Sequence, residues 1–167
     1  MLMKINKFLD KKRKKLYSIS CIVVIFDQLI KWIVASNMEL YQEINVIDNF
    51  FSLYYLKNYG AAFSMLEGMT SLFIIIGIVA LIYLDRFIHE EKLGKWPLVL
   101  LGIIIGGIVG NLIDRIFYGG VIDYLSFDIM SYSFPVFNMA DIAIVVGIVI
   151  FIIIMIWSDI SEKVKNK

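Results

Sequence analysis

Two aspartates carry the chemistry that this chain suggests. Asp141 lies in VFNMADIAIVVGIVIFIIIMIW, residues 136–157, where it is the only charged side chain. A carboxylate at the centre of such a membrane-length segment costs about 2.5–3.5 kcal/mol on insertion scales. Asp141 is instead about one helical turn from the start, roughly 5 Å deep, where a helix N-terminus favours negative charge. Asn138, three residues earlier, shares its face. Capping or structural pairing is the plain account of such an acid. The second aspartate, Asp123, follows a glycine turn in GGVIDYL. If the two meet, they cannot both ionise cheaply, and one keeps a proton near neutral pH. The ionised member can take a proton from water while the protonated member donates to a carbonyl oxygen. Those two roles suffice to hydrolyse an amide without a metal or a covalent intermediate.

Competing hydrolytic sets are missing from the sequence. There is one histidine, His89, and one cysteine, Cys21. That excludes a disulfide within the chain and leaves too few ligands for a Cys/His zinc site. Ser126, Ser131 and Ser133 have no nearby lysine to act as base, and His89 falls at the other end of the bundle. No metal, no cofactor and no nucleic-acid partner is expected. Cys21, in SISC, follows KKRKKLY where a lipidation signal would need an apolar run, so it reads as an ordinary buried small residue.

The elements that must position the aspartates are membrane helices. Of 167 residues, 60% are hydrophobic, against about 45–50% in a soluble domain, and the mean hydropathy is +0.80. The length suits one domain, 1–167. After a basic tail of about 1–15, apolar spans cover about 16–35, 69–88, 96–113 and 138–157, each of membrane-crossing length. Long unalternating runs satisfy their backbone in lipid as helices. Asp27 and Lys31 interrupt the first run and argue against a cleaved secretory signal. The segment Asn45–Asn58, NVIDNFFSLYYLKN, has strand propensity. It suggests a small sheet on the membrane, with an edge able to hold an extended peptide, the plainer account being an aromatic belt. The expected fold is therefore a mainly α membrane protein of four transmembrane helices with a small extracytoplasmic β-sheet.

Thirteen of the 16 Lys and Arg residues fall in the N-terminal tail, the 85–95 loop and the C-terminal tail. Positive segments stay in the cytoplasm, so both termini are expected inside and the two longer connections outside. Within the spans, Asp27 and Lys31 are four apart and are expected to neutralise each other. Gly106 and Gly110 form a small-xxx-small pair that admits a neighbouring helix. Asp114 and Arg115 close the third span. Arg115 is suited to a carboxylate or a backbone carbonyl, and Gly60 permits a tight turn in NYGAAFS.

DQLIKW (27–32), NYGAAFS (58–64), GGIVGNLIDR (106–115), VIDY (121–124) and FPVFNMAD (134–141) together resemble the ordered motifs of the bacterial lipoprotein signal peptidase family, signal peptidase II. The resemblance implies an aspartic endopeptidase with Asp123 and Asp141 as its catalytic pair. It implies substrate-framing or dyad-framing roles for Asn58, Asn111, Arg115 and Asn138. Asp27, Lys31, Gly60, Gly110 and Asp114 are expected to support the site structurally. The implied substrate is a prolipoprotein carrying diacylglycerol, cut just before its lipidated cysteine. The implied setting is multi-pass in the bacterial cell membrane among its lipids, as a monomer, with the site near the extracytoplasmic face. Two departures stand out: Ile122 replaces the second valine of the V-V-D motif, and Lys57 stands where arginine is common, near the expected peptide path. Lysine cannot make a bidentate guanidinium contact. The alternative reading is a small proton-coupled transporter or channel using the same acids. The acids cluster at one end, however, and no inverted repeat is visible.

The charge asymmetry yields a labelling test. Single cysteines at Asn6 and Glu43, in a Cys21→Ser background, are expected to react from opposite sides of the membrane. Reaction of both from outside intact cells would overturn the orientation.

Overall fold

The computed structural model describes residues 2–60, 68–91, 93–130 and 132–165. The order is α1 (Leu2–Asn37), β1 (Glu43–Ile47), β2 (Phe51–Asn58), α2 (Thr70–Glu90), α3 (Lys95–Tyr118), β3 (Val121–Ile129), β4 (Tyr132–Ser133) and α4 (Met139–Lys165). Four helices are long and apolar enough to cross a membrane. The protein is mainly helical, with one small antiparallel sheet in the order β1-β2-β3-β4. Helix α1 extends back through the basic segment without a break. Ala61–Ser64 of the NYGAAFS motif, and Ser131, lie outside the described residues.

Helix α3 is the central post. Its span is 67% buried, against 22%, 6% and 11% for those of α1, α2 and α4. Its apolar residues face other helices, while most side chains of α2 and α4 face outward, where lipid tails are as apolar as they are. Glycines allow the close crossings. A Cβ added at Gly106 would lie 2.6 Å from Val23 Cβ of α1, and one at Gly107 would lie 2.6 Å from the carbonyl oxygen of Ala140 in α4. Gly106 thus serves the helix approach that its spacing to Gly110 suggested. At Gly110 the added atom would meet the Asp27 carboxylate at 2.5 Å, so this glycine makes room for a charged group.

Helix α3 ends at Gly119, whose φ of 74° is left-handed, a conformation glycine adopts without Cβ strain. The chain then turns directly into β3, which pairs with β2 in the register Lys57↔Ile122 and Asn58↔Val121. Leu56 faces Asp123 across the strands. Asn58 is therefore Asp123's diagonal neighbour, within cross-strand reach. Phe127 stacks on Phe51 and Phe137 at centroid distances of 4.8 and 5.7 Å, which binds the sheet to the chain leading into α4.

The segment Asn45–Asn58 forms its part of the expected small sheet as a hairpin: Asn49 takes φ 57° in the turn between β1 and β2, a left-handed conformation that Asn tolerates. Two expectations are corrected. Cys21 is exposed on α1. The third helix continues past Asp114 and Arg115 to Tyr118, because Ile116, Phe117 and Tyr118 carry its apolar outer surface on.

The glycine contacts differ in how easily they can yield. At Gly77 the added carbon meets only the flexible end of Leu112, at 2.8 Å from Cδ2. Gly110→Ala is expected to cost about 1–3 kcal/mol by overpacking, and Gly77→Ala much less. Thermal unfolding of the two variants in detergent would decide; equal midpoints would refute the distinction.

Candidate active site

The site grows from one ammonium group. Lys31 is 1% exposed, and each of its three N–H donors has an acceptor. Asp27 Oδ2 lies at 2.9 Å, Asp114 Oδ2 at 2.8 Å and Asn111 Oδ1 at 2.9 Å. Asp27 and Asp114 are both fully buried. The expected Asp27–Lys31 pair is therefore a triad, because α3 brings Asp114 to the same cation. Its surplus negative charge is met by further donors. The Ala140 N–H donates to Asp27 Oδ1 at 3.0 Å, and the Ile122 N–H donates to Asp114 Oδ2 at 3.1 Å. Gln28 donates to Asp114 Oδ1 at 2.8 Å and also reaches the Gly110 carbonyl. The triad thus holds α1 and α3 to the starts of β3 and α4, the two elements that carry the remaining aspartates.

Lysine offers only donors, so the Asn111 oxygen must face Lys31 and its amide N–H must face away. That N–H donates to Asp141 Oδ1 at 2.8 Å. Asn138 and Asp141 form a reciprocal cap at the start of α4. The Asn138 backbone N–H donates to Asp141 Oδ2 at 3.1 Å, and the Asp141 N–H donates to Asn138 Oδ1 at 3.0 Å. This is the capping-box arrangement with Asn and Asp in place of Ser and Glu. It also orients the Asn138 amide. Its N–H group points at Asp123 Oδ1, 2.6 Å away, and at Asn111 Oδ1, 3.2 Å away. Asn58 is set in the same manner: its oxygen accepts the Gly60 N–H at 3.0 Å, and its amide donates to Asp123 Oδ2 at 2.9 Å. Each of the three asparagines turns its donor toward an aspartate.

Asp123 is 2% exposed. Burial, and next the charge of Asp141, push its carboxyl up to about 7, against donation by Asn58 and Asn138 that favours the ionised form. Arg115 holds carbonyls rather than a carboxylate. It donates to Gly60 O at 3.3 Å and Asn111 O at 3.4 Å, and it lies 5.2 Å from the Phe73 ring centroid. It thereby fastens the turn after β2 to α3 and α2. The turn expected at Gly60 is present as an Asn58–Gly60 side-chain turn.

Lys57 alternates with Asn58 along β2 and lines a cavity of about 280 Å³ with Lys31, Asp114, Trp32 and Tyr118. Two residues that sequence reasoning missed also serve the site. Gln28 was legible as the neighbour of Asp27. Tyr124, whose hydroxyl accepts the Met139 N–H at 3.3 Å, had no signal beyond standing beside Asp123.

The comparisons with known proteins show the family. Residues 19–157 match the family model described as Signal peptidase (SPase) II. The chain belongs to the signal peptidase II family. A lipoprotein signal peptidase of Symbiobacterium thermophilum is 42% identical over 132 residues, covering 78% of this chain and 86% of that protein. One from Geobacillus kaustophilus is 40% identical over 151 residues, covering 88% and 96%. A bacterial membrane enzyme solved by the in meso method at 2.3 Å resolution superposes with a TM-score of 0.81 at 36% identity, covering 90% of this chain and 92% of that one. As a signal peptidase II the protein is a multi-pass membrane protease of lipoprotein signal peptides.

The triad generates a prediction. Lys31→Met leaves two buried carboxylates without a cation, a loss of about 3–5 kcal/mol, and the protein is expected to fail to accumulate in membranes. Adding Asp27→Asn and Asp114→Asn should restore part of the folded yield. A Lys31→Met chain that accumulates normally would show that the triad does not hold the site together.

Proposed function

We propose that this signal peptidase II is an aspartic endopeptidase with Asp123 and Asp141 as its acid–base pair. Its substrate is a diacylglyceryl-modified prolipoprotein, cut just before the lipidated cysteine. The observation that carries this reading is the Asn138 side chain. Its amide donates to Asp123 while its oxygen receives the Asp141 N–H, which ties an acid on a strand and an acid on a helix to a single group.

Asp141 accepts from one amide and one backbone N–H at a helix N-terminus. It is the natural base toward water. Asp123, with its carboxyl raised to about 7, retains a proton at neutral pH. It is placed to donate that proton to the scissile carbonyl oxygen and to take it back as the tetrahedral diol collapses, while Asp141 passes the proton taken from water to the leaving amine. Water supplies the nucleophile, so no covalent intermediate and no metal ligand is needed from the chain. Asn58, Asn111 and Asn138 orient the two carboxylates, and Arg115 holds the Gly60 turn beside them. The chain works as one membrane-embedded domain and as a monomer. Both termini are cytoplasmic, and the pair stands at the extracytoplasmic edge of the bilayer, where a peptide whose lipid remains in the membrane can reach it.

Asp123→Asn and Asp141→Asn are each expected to lower cleavage about 100- to 10,000-fold at unchanged membrane abundance, and the double variant little further. Chelators should leave the wild-type rate unchanged. The pH sign follows from Asp123. Its folded value lies above the ordinary 3.8, so its neutral form is the competent and the more stable one. Cleavage should fall as pH rises through about 7, and stability should decline between about pH 4 and 7. Near wild-type cleavage by Asp141→Asn, measured on a diacylated substrate at equal protein, would overturn the assignment.

A further inference from the structure

Charge is sharply polarised along the bundle, and the basic end is not uniform. By sequence, the N-terminal tail, the 85–95 loop and the C-terminal tail hold 13 Lys and Arg residues against six acids: Asp10, Asp85, Glu90, Glu91, Asp159 and Glu162. Asp85 accepts from the Tyr17 hydroxyl and lies 3.7 Å from His89, and Asp159 pairs with Lys163. Glu90 and Glu91 are exposed at the end of α2. At the seam where α1 meets α3, Lys15 and Lys95 flank a slot of about 60 Å³ whose walls are Leu16, Ile19, Leu98 and Val99. Leu16 and Leu98 are buried, while both lysines are exposed. Among the described residues neither lysine has an ion-pair partner. Lys95 lies 5.3 Å from the ring centroid of Trp96, and Trp96 is 64% exposed, a placement typical of the membrane–water boundary.

Two cations from different helices, set over an apolar slot, match one ligand chemistry. A phosphodiester headgroup meets the lysines and the first methylenes of an acyl chain enter the slot. Basic pockets between membrane helices at such an end take anionic lipid headgroups. A soluble anion would satisfy the lysines but leave the slot empty, and a zwitterionic lipid would set its own cation against Lys15 and Lys95.

We propose that the Lys15–Lys95 cleft between α1 and α3 is a binding site for one anionic phospholipid, which straps the two helices at the end of the bundle opposite the aspartates. This site is independent of the acid–base assignment above. Phosphatidylglycerol and phosphatidylcholine can be titrated onto the full chain and the adducts read by native mass spectrometry. One phosphatidylglycerol should bind in preference to phosphatidylcholine. With about 1 kcal/mol per cation, Lys15→Gln or Lys95→Gln should weaken that adduct about fivefold, and the pair roughly thirtyfold. Lys95→Arg should retain it. Lys14→Gln with Arg86→Gln removes two cations from the same end but not from the cleft, and should change binding far less. Equal losses in the two double variants would overturn the proposal in favour of diffuse attraction. Displacement of the lipid by excess inorganic phosphate alone would overturn it in favour of a simple anion site. A Lys15→Gln/Lys95→Gln chain that binds phosphatidylglycerol like the wild type would overturn it outright.

Discussion

The buried ammonium of Lys31 is the constraint from which the rest follows. A cation in the middle of an apolar bundle is tolerable only when its donors are fully used. Here all three are used, by Asp27, Asp114 and Asn111. Because lysine can only donate, it dictates which way the Asn111 amide points. Because both acids are buried as well, each must find a backbone N–H, and those N–H groups belong to Ala140 and Ile122. Each of these residues immediately neighbours one of the proposed catalytic acids. The electrostatic needs of one helix therefore set the positions of two other elements.

This arrangement divides two chemically identical side chains. Asp141 belongs to a reciprocal helix cap and takes its donors from the helix start and from Asn111. Asp123 sits on a strand, buried against the bundle, with burial and its neighbour's charge opposing ionisation. The cap that gives Asp141 a plain structural role and the geometry that suits it to catalysis are the same hydrogen bonds, so the two readings of that residue do not compete.

Packing serves the same end. Helix α3 is the one helix buried on most of its surface, and its glycines are what allow α1 and α4 to come close enough for side chains from three elements to share one hydrogen-bonded cluster. Gly110 shows the dependence most directly, since its missing Cβ is the space occupied by the Asp27 carboxylate. Among the described residues no buried side-chain polar atom lacks a partner. In a bundle this apolar, a partly satisfied network would cost more than an apolar core.

Much was legible from the sequence alone. Four apolar runs of membrane length can satisfy their backbone only as helices. The Asp27–Lys31 and Asn138–Asp141 spacings put each pair on one helix face, and a chain with one histidine and one cysteine left carboxylates as the available chemistry. The family resemblance rested on the same short motifs. What tertiary structure decided lies between elements, where helical or strand periodicity carries no information. The recruitment of Asp114 to Lys31 depends on how α3 crosses α1. Lys57 looks away from Asn58 because the strand register sends alternate residues to opposite faces. Cys21 is exposed because it lies off the Leu16–Ser20–Asp27–Lys31 stripe that α1 buries, and helix rotation is set by packing partners. The strand segment became a hairpin through the left-handed turn at Asn49, a local choice that propensity did not reveal. Spacing determined which residues could meet within an element, and only the docking of α3 against its neighbours determined which residues meet across them.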